Sequence, residues 1–161
     1  MKKFIMVTLV ALSCVGICRA QTAPLYKASY SSNFTIADKA HANKILTLWK
    51  DFENNTLDKH VAWFADTVSM TLADGKTIKG KAENLKNVKE FRKGISKYKV
   101  TVDAWVSLKS VDRNENVVCI WGEEEYMMNG KKVKNSTHEV WGFNKDGKVS
   151  MMLQFAQGGG M

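Results

Sequence analysis

An acidic residue on an otherwise apolar strand is the position in this chain best suited to chemistry. Glu139 alternates with Trp141 and Phe143, so the three side chains are expected to share one face of a strand. Burying a carboxylate among apolar groups is costly unless it is paired or protonated, and such groups often act as acids or hydrogen-bond donors. The sequence leaves an alternative open, in which Glu139 lies near the mouth of a pocket and is hydrated or ion-paired.

His60 is the second candidate for proton transfer. It falls on the stripe formed by Leu57, Val61 and Phe64, so we expect it to face the same cavity as Glu139. A histidine base beside a carboxylic acid is a common arrangement in acid–base catalysis. The alternative is that His60 is a hydrogen-bonded core or boundary residue.

Three other kinds of polar group are weighed in the same way. Asp66 is expected to cap a turn, with a role in the pocket as the alternative. Cys119 is the only cysteine outside the first 20 residues, and we expect it to be a small buried hydrophobe. The three histidines, His41, His60 and His138, lie on different predicted elements without paired spacing, so neither a metal site nor a cofactor is predicted.

Hydrophobic periodicity predicts the elements that position these groups. It indicates three helices: one beginning at a capping box of Thr35 and Asp38, a short one after Thr56, and one from Lys81 to Ser96. The buried stripe of the first helix is expected to be Ala42, Ile45, Leu48, Trp49 and Phe52. One strand precedes the third helix and four strands follow it. This order predicts an α+β domain with a curved antiparallel sheet and the helices packed on one sheet face.

Two turns in the second half of the chain set the register of the sheet. The Asn129–Gly130 turn predicts a hairpin in which Trp121 lies opposite His138. The Asp146–Gly147 turn joins the last two strands, and its preferred register places Met152 on the same face as His138. A slip by one residue would move alternate side chains of the last strand to the other face.

Each face of this sheet has a predicted role. The apolar face and the helices are expected to line a pocket, whose ligand-binding residues are Trp49, Phe52, Trp63, Asp66, Met70, Tyr126, Thr137 and Trp141. The opposite face is too apolar to be left in water, and we expect it to form the interface of a homodimer. The residues assigned to that interface are Trp121, His138, Val140 and Met152.

The first 20 residues have the pattern of a secretory signal peptide. Lys2 and Lys3 precede an apolar stretch over residues 4–18, and a small-x-small site ends at Ala20. The stretch is too short to be expected to anchor the protein in a membrane. A lipoprotein attached through one of the two cysteines in this stretch is the alternative to soluble export to the periplasm or the extracellular space.

Charge and length bound the partners that the exported chain is expected to have. Removal of the signal peptide takes away three of 24 basic residues and leaves 21 against 16 acidic residues, a net charge of +5. This mild excess is not typical of a nucleic-acid-binding domain, and no integral membrane span is expected. We expect a flexible leader over residues 21–34, one domain over 35–157 and a disordered tail over 158–161. A basic run from Lys76 to Lys99 forms either a solvated face or a surface for anionic partners.

The order and spacing of several segments resemble the nuclear transport factor two superfamily, and its SnoaL-like members in particular. The matching segments are Trp49–Phe52, Trp63–Asp66, Gly80 before the third helix, and Glu139–Val149. The resemblance spans roughly residues 35–155. It implies a cone-shaped domain in which a curved sheet and helices enclose a pocket, often with the outer sheet face as a dimer interface.

Ketosteroid isomerases belong to the same superfamily, but the resemblance carries over only one of their catalytic positions. Glu139 matches in kind the acid that donates a hydrogen bond to an oxyanion. The position of the isomerase base holds Met70 or Leu72, and the position of a helix-one tyrosine holds Leu48 or Trp49. The isomerase mechanism is therefore not predicted.

Three functions follow from these observations. The leading hypothesis is an exported protein that binds a small, largely apolar molecule in the cone. The second is an isomerase, cyclase or dehydratase that uses Glu139 and His60. The third is a structural module that dimerises through its outer sheet face and whose cavity is filled by its own side chains.

The signal pattern generates a test of processing. We expect the mature protein to begin at Gln21, because the small-x-small site ends at Ala20. N-terminal sequencing of protein from the culture medium or the periplasm measures this directly. A retained Met1, or a lipid attached to Cys14 or Cys18, would contradict soluble export.

Overall fold

Seven strands in one curved mixed sheet and three helices make up the computed structural model, which describes residues 24–158. The helices are α1 (Lys39–Asn54), a 3-10 helix (Leu57–Trp63) and α2 (Lys81–Lys93). The strands are β1 (Phe34–Ile36), β2 (Phe64–Thr71), β3 (Thr77–Lys79), β4 (Ile95–Ser110), β5 (Glu115–Met128), β6 (Lys131–Phe143) and β7 (Val149–Gly158). The predicted α+β fold is confirmed. The predicted signal peptide and the last three residues of the predicted tail lie outside the described range.

The sheet has the strand order β1-β4-β5-β6-β7-β2-β3, and one of its neighbouring pairs is parallel. Strands β4 to β7 form the expected antiparallel meander. Strand β2 runs parallel to β7, although a wholly antiparallel sheet was expected. A tight hairpin forces its two strands to be antiparallel, whereas β2 and β7 are joined only through α2 and the whole meander.

The register of the β5–β6 hairpin is confirmed, and that of β6–β7 differs by one residue from the prediction. Trp121 pairs with His138 across the hairpin as expected. Next to the last turn Phe143 pairs with Val149, but a bulge follows, and Gly142 pairs with Met151. A bulge adds one residue to one strand and so exchanges the faces of all residues beyond it.

This bulge corrects the assignment of Met152 to the outer face. Met152 pairs with Trp141 and is buried in the core. Its neighbour Leu153 takes the outer position beside Val140, and Phe155 takes the position beside His138.

Helix α1 begins later than the capping box predicted. Asp38 is the N-cap, and its carboxylate accepts a hydrogen bond of 2.8 Å from the backbone N–H of Ala40. Thr35 lies instead in β1, where it pairs with Lys109 of β4. The helix buries the predicted stripe except for the half-buried Phe52.

The core lies between α1, the 3-10 helix and one face of the sheet. Its buried residues form one cluster: Ala42, Ile45, Leu48, Trp49, Phe64, Val68, Met70, Val118, Ile120, Trp141, Phe143, Val149 and Met152. Within residues 24–158 no helix has the length and apolar character needed to cross a membrane.

The end of the predicted leader is held against the domain. Val111 donates a backbone hydrogen bond of 2.9 Å to the carbonyl of Asn33. The Tyr30 hydroxyl donates to Glu115 at 2.7 Å, and the guanidinium of Arg113 lies 4.7 Å from the Tyr30 ring. Residues 30–34 therefore pack against the turn between β4 and β5, although the predicted domain begins only at residue 35.

Helix α2 is shorter than predicted and is fixed by a buried amide. The helix ends at Lys93, with Gly94 as its C-cap, and Ile95 already belongs to β4. Asn84 is buried, and its side-chain N–H groups donate to the carbonyls of Ile78 at 3.1 Å and Gly80 at 2.8 Å. This amide joins α2 to the strand and turn before it.

Replacing this amide should destabilise the fold more than replacing Asn87, a half-buried asparagine on the same helix. Asn84→Ala removes the side-chain hydrogen bonds that join α2 to these carbonyls at a buried position, which should lower the free energy of unfolding by about 1–3 kcal/mol. Asn87→Ala is the matched control, because Asn87 is not buried and donates only to Glu83. Urea denaturation measures both variants, and equal losses would contradict the role assigned to Asn84.

Candidate functional site

The carboxylate of Glu139 lies at the centre of the core and accepts three hydrogen bonds. Only 5% of Glu139 is exposed, which confirms that it faces the interior. Its Oε2 accepts from the indole N–H of Trp49 at 2.6 Å and of Trp141 at 2.9 Å. Its Oε1 accepts from the side-chain amide of Gln154 at 3.0 Å. We call these four residues the indole–carboxylate cluster.

Three elements converge to build the indole–carboxylate cluster. Trp49 comes from α1, Trp141 and Glu139 alternate along β6, and Gln154 pairs with Glu139 from β7. The ring of Trp49 packs against β5 at Gly122, where a Cβ atom would lie 3.0 Å from the ring and 2.3 Å from a backbone oxygen. Only glycine fits at this position. Gly122 therefore lets the indole lie close enough to the sheet for its N–H to reach Glu139.

Burial raises the pKa of Glu139 to about 7, and the charge of Glu124 adds to the increase. The three N–H donors oppose this increase, because they stabilise the ionised form. The carboxyl group therefore changes protonation near neutral pH. All three of its hydrogen bonds come from the protein's own side chains, so the ionised form is already satisfied without a ligand.

A second cluster surrounds Glu124. The Tyr98 hydroxyl donates to Glu124 at 2.7 Å, and burial raises the pKa of both groups. The Tyr98 ring stacks on Tyr126 at 6.0 Å and meets Phe52 edge-on at 4.8 Å. The guanidinium of Arg92 lies 5.4 Å from the Tyr98 ring and donates to the backbone carbonyl of Phe52 at 3.0 Å. The cation that contacts these aromatic rings is therefore Arg92 of the same chain.

His60 pairs with a different acid from the one predicted. Its Nδ1 makes a short contact with the buried carboxylate of Asp51, which also accepts from the Thr56 hydroxyl at 2.9 Å. The His60 ring lies against Trp63, tilted by 32°, with centroids 4.0 Å apart. The three hydrogen bonds of Glu139 come from other residues, so the structure does not bring His60 and Glu139 together as an acid–base pair.

The remaining residues predicted to bind a ligand are dispersed. Asp66 is exposed and paired with Lys81, whose ammonium lowers the Asp66 pKa, so it lines no interior surface. Thr137 is buried and its hydroxyl donates to the carbonyl of Phe155 at 3.4 Å. Met70 lines a cavity of about 10 Å³ between the 3-10 helix, β2 and α2, which has room for about one water molecule.

The outer face of the sheet carries three stacked rings. His138 lies flat between Trp121, at a centroid distance of 4.7 Å and an interplanar angle of 3°, and Phe155 at 5.8 Å. Trp121 is 39% exposed and Phe155 is 56% exposed. We call these three residues the outer aromatic row. Beside it Val140 and Cys119 are half-buried, and burial raises the pKa of the Cys119 thiol.

Sequence reasoning found Glu139 but missed its amide partner and two further acids, Asp51 and Glu124. The predicted β7 register puts Gln154, two residues after Met152, on the outer face. Asp51 lies between Trp49 and Phe52 of the apolar stripe, and the helical pattern gives no signal for a buried acid there. One signal in the sequence could have found Tyr98 and Glu124. By strand alternation both occupy positions on the inward face of β4 and β5. Within residues 24–158 no group of three or more His, Cys, Asp or Glu side chains is placed to hold a metal ion.

Comparison with known proteins identifies the fold. No protein-family model and no curated protein sequence matches this chain. An NTF2-like protein of unknown function from Burkholderia pseudomallei aligns with a TM-score of 0.61 and 17% identity over 73% of this chain and 90% of that one. An LEH-like epoxide hydrolase of M. tuberculosis aligns with a TM-score of 0.61 and 10% identity over 73% of this chain and 82% of that one. The epoxide hydrolase/cyclase-like enzyme SalBIII, which has a role in pyran ring formation in salinomycin, aligns with a TM-score of 0.61 and 12% identity over 74% and 92%. The chain therefore has the NTF2-like, SnoaL-like fold, and the resemblance predicted from sequence is confirmed at the level of the fold.

The raised pKa of Glu139 predicts how stability depends on pH. The ordinary pKa is 4.5 and the folded value is about 7, so between these values the folded protein holds a proton that the unfolded chain has lost. Stability should be greatest below pH 4.5 as far as this group is concerned, and should fall by up to about 1.4 kcal/mol per pH unit until pH 7.

Glu139→Gln removes this titration and should flatten the pH dependence in urea denaturation between pH 4.5 and 7. A smaller dependence should remain, because Glu124 also has a raised pKa. Glu123→Gln serves as a control for the loss of one acid, since Glu123 is ion-paired with Lys134 at the surface. If Glu139→Gln kept the full pH dependence of the original protein, the buried acid would not be its source.

Proposed function

We propose that this protein is an exported assembly module, in which the outer face of the NTF2-like sheet binds a second copy of the chain. The observation that carries the proposal is the exposed outer aromatic row of Trp121, His138 and Phe155. Large, flat and exposed rings on a strand surface are characteristic of protein interfaces.

The surroundings of the outer aromatic row extend it into an apolar patch. The next cross-strand row on the same face, two residues further along each strand, is apolar. It consists of Val106, Cys119, Val140 and Leu153, which lie side by side across four strands. All four are partly exposed. The helices pack on the opposite face of the sheet, where the buried residues of β5 and β6 lie. An exposed patch of this kind can meet its own copy across a two-fold axis.

Ion pairs border this patch on one side. Lys134 lies 2.8 Å from Glu123, and Lys132 lies 2.8 Å from Glu125, on the same face of β5 and β6 as the outer aromatic row. An apolar centre with a charged rim is the usual anatomy of a specific interface. The rim favours one arrangement of two copies over unspecific association.

The interior of the cone supports this proposal more than it supports binding or catalysis. Two structural neighbours are described as an epoxide hydrolase and a hydrolase/cyclase-like enzyme, so the fold accommodates chemistry. In this chain Glu139 has both oxygens engaged by protein donors, and His60 is bound to Asp51. A ligand would have to displace these bonds, which are strong because they lie in an apolar core. The proposed role therefore resembles the third function expected from the sequence, with Leu153 and Phe155 in place of Met152.

Two matched tryptophans test the proposal. Trp121 is 39% exposed on the outer face, and Trp105 is 37% exposed but pairs with Ile120, whose side chain points to the other face. Trp121→Glu should convert a dimer to a monomer, because two like charges would be buried at the two-fold contact. Trp105→Glu should leave the dimer intact.

Light scattering coupled to size-exclusion chromatography measures the mass of each variant at micromolar concentration. Circular dichroism verifies that both variants are folded. A monomeric unsubstituted protein, or equal dissociation of the two variants, would contradict assembly through the outer aromatic row.

A further inference from the structure

A polar groove lies where the end of α2 meets the β5–β6 turn, away from the indole–carboxylate cluster. Its volume is about 380 Å³, which is within the range of small-molecule sites. It is lined by Lys93, Gly94, Ile95, Ser96, Lys97, Met127, Asn129 and Gly130. The two lysines are the only ionisable side chains among these lining residues. We call this feature the lysine groove.

Lys97 is held in the lysine groove by an unusual backbone conformation. Ser96 pairs with Met127 and Lys99 pairs with Glu125, so Lys97 and Tyr98 together face the single residue Tyr126 across a bulge. Lys97 has a φ of 52°, in the left-handed region. The first residue of such a bulge is usually glycine, because a side chain there is strained.

The bulge at Lys97 affects the direction of its side chain. A bulge turns a side chain away from the regular alternation of the strand. Residues kept in unfavourable backbone conformations are found preferentially at binding sites. Here the unfavourable position carries a cation, and the neighbouring Lys93 supplies a second one from the last turn of α2.

Within residues 24–158 these two lysines, like most cations of the basic run, have no acidic partner, whereas Lys81 and Lys89 each have one. Lys81 is paired with Asp66, and Lys89 lies 2.7 Å from Asp58. Among residues 24–158 neither Lys93 nor Lys97 takes part in a salt bridge. The lysine groove therefore holds two uncompensated positive charges beside a turn with two positive φ values, at Asn129 and Gly130.

We propose that the lysine groove binds a phosphate ester. A phosphate monoester carries a charge of about −1.5 to −2 at neutral pH, which two ammonium groups can balance. Lysine binds phosphate as a point charge without demanding a fixed orientation. The volume leaves space for a small alcohol or sugar attached to the phosphate. The ester has two sources, a soluble metabolite or the headgroup of phosphatidic acid, and both present a phosphate monoester to Lys93 and Lys97.

The first experiment follows backbone amide shifts of the folded protein during titration with glycerol 3-phosphate at low salt, with glycerol as the neutral control. Shifts should concentrate on Gly94, Lys97 and Gly130 and should weaken as salt is added. Lys93→Gln combined with Lys97→Gly should weaken binding roughly tenfold or more, because two charge-assisted contacts are lost. Lys145→Gln, an exposed lysine in the β6–β7 turn, should bind like the original protein.

Lys97→Gly also separates binding from folding. Glycine relieves the strain at the left-handed position, so the melting temperature of this variant should stay the same or rise while its affinity falls. A loss of binding with unchanged or increased stability supports a direct contact. If Lys97→Gly lowered both stability and affinity, the inference that a strained Lys97 contacts the phosphate directly would be overturned.

The second experiment distinguishes the two sources. Vesicles of phosphatidylcholine that contain phosphatidic acid should compete with glycerol 3-phosphate if the lysine groove admits a lipid headgroup, whereas vesicles of phosphatidylcholine alone should not. Competition assigns the lipid source, and soluble binding without competition assigns the metabolite. The proposal is overturned if neither ester binds, if glycerol produces the same shifts, or if Lys145→Gln weakens binding as much as the groove variants do.

Discussion

Two indole N–H groups that share one carboxylate oxygen are the interaction on which the rest of this structure depends. Trp49 belongs to α1 and Trp141 to β6, and both donate to Oε2 of Glu139 in the middle of the core. A buried indole N–H without an acceptor is costly, so each ring requires the acid. The acid in turn requires the rings, because a buried carboxylate without donors would be more costly still. The angle and depth at which α1 packs on the sheet are fixed by this mutual requirement.

Close approach of the helix to the sheet imposes a second constraint. Because the Trp49 ring lies on β5, Gly122 has to be glycine, and the neighbouring β4 carries a bulge between Val102 and Ala104. Bulges increase the local twist and bend of a strand. Val102 pairs with Gly122, so this bend lies beside the position where the Trp49 ring packs. The bulge in β6–β7 has a separate effect, because it places Met152 in the core and Phe155 outside.

The buried acids of this chain have a structural role, so we expect the functional sites to lie at the surface. Glu139 and Asp51 are both buried acids whose hydrogen bonds come from side chains of the same chain. Hydrogen bonds of this kind in an apolar core stabilise one arrangement of elements and leave little free capacity for a ligand. The outer aromatic row and the lysine groove have the opposite character. Their rings and charges are only partly satisfied within the chain, which is the condition for binding a partner or an anion.

The sequence by itself determined the features that depend on local periodicity and on turn chemistry. The first helix, the hairpin at Asn129–Gly130 and the burial of Glu139 follow from spacings of a few residues, since alternation and helical stripes are local properties. The fold resemblance followed because these elements occur in a specific order. Only the tertiary structure decided which groups meet. Gln154 reaches Glu139 because a bulge shifts β7 by one residue, and His60 meets Asp51 because the 3-10 helix folds back on α1. A register shift and a contact between distant elements depend on the total packing energy of many side chains, and no local pattern in the sequence encodes that sum.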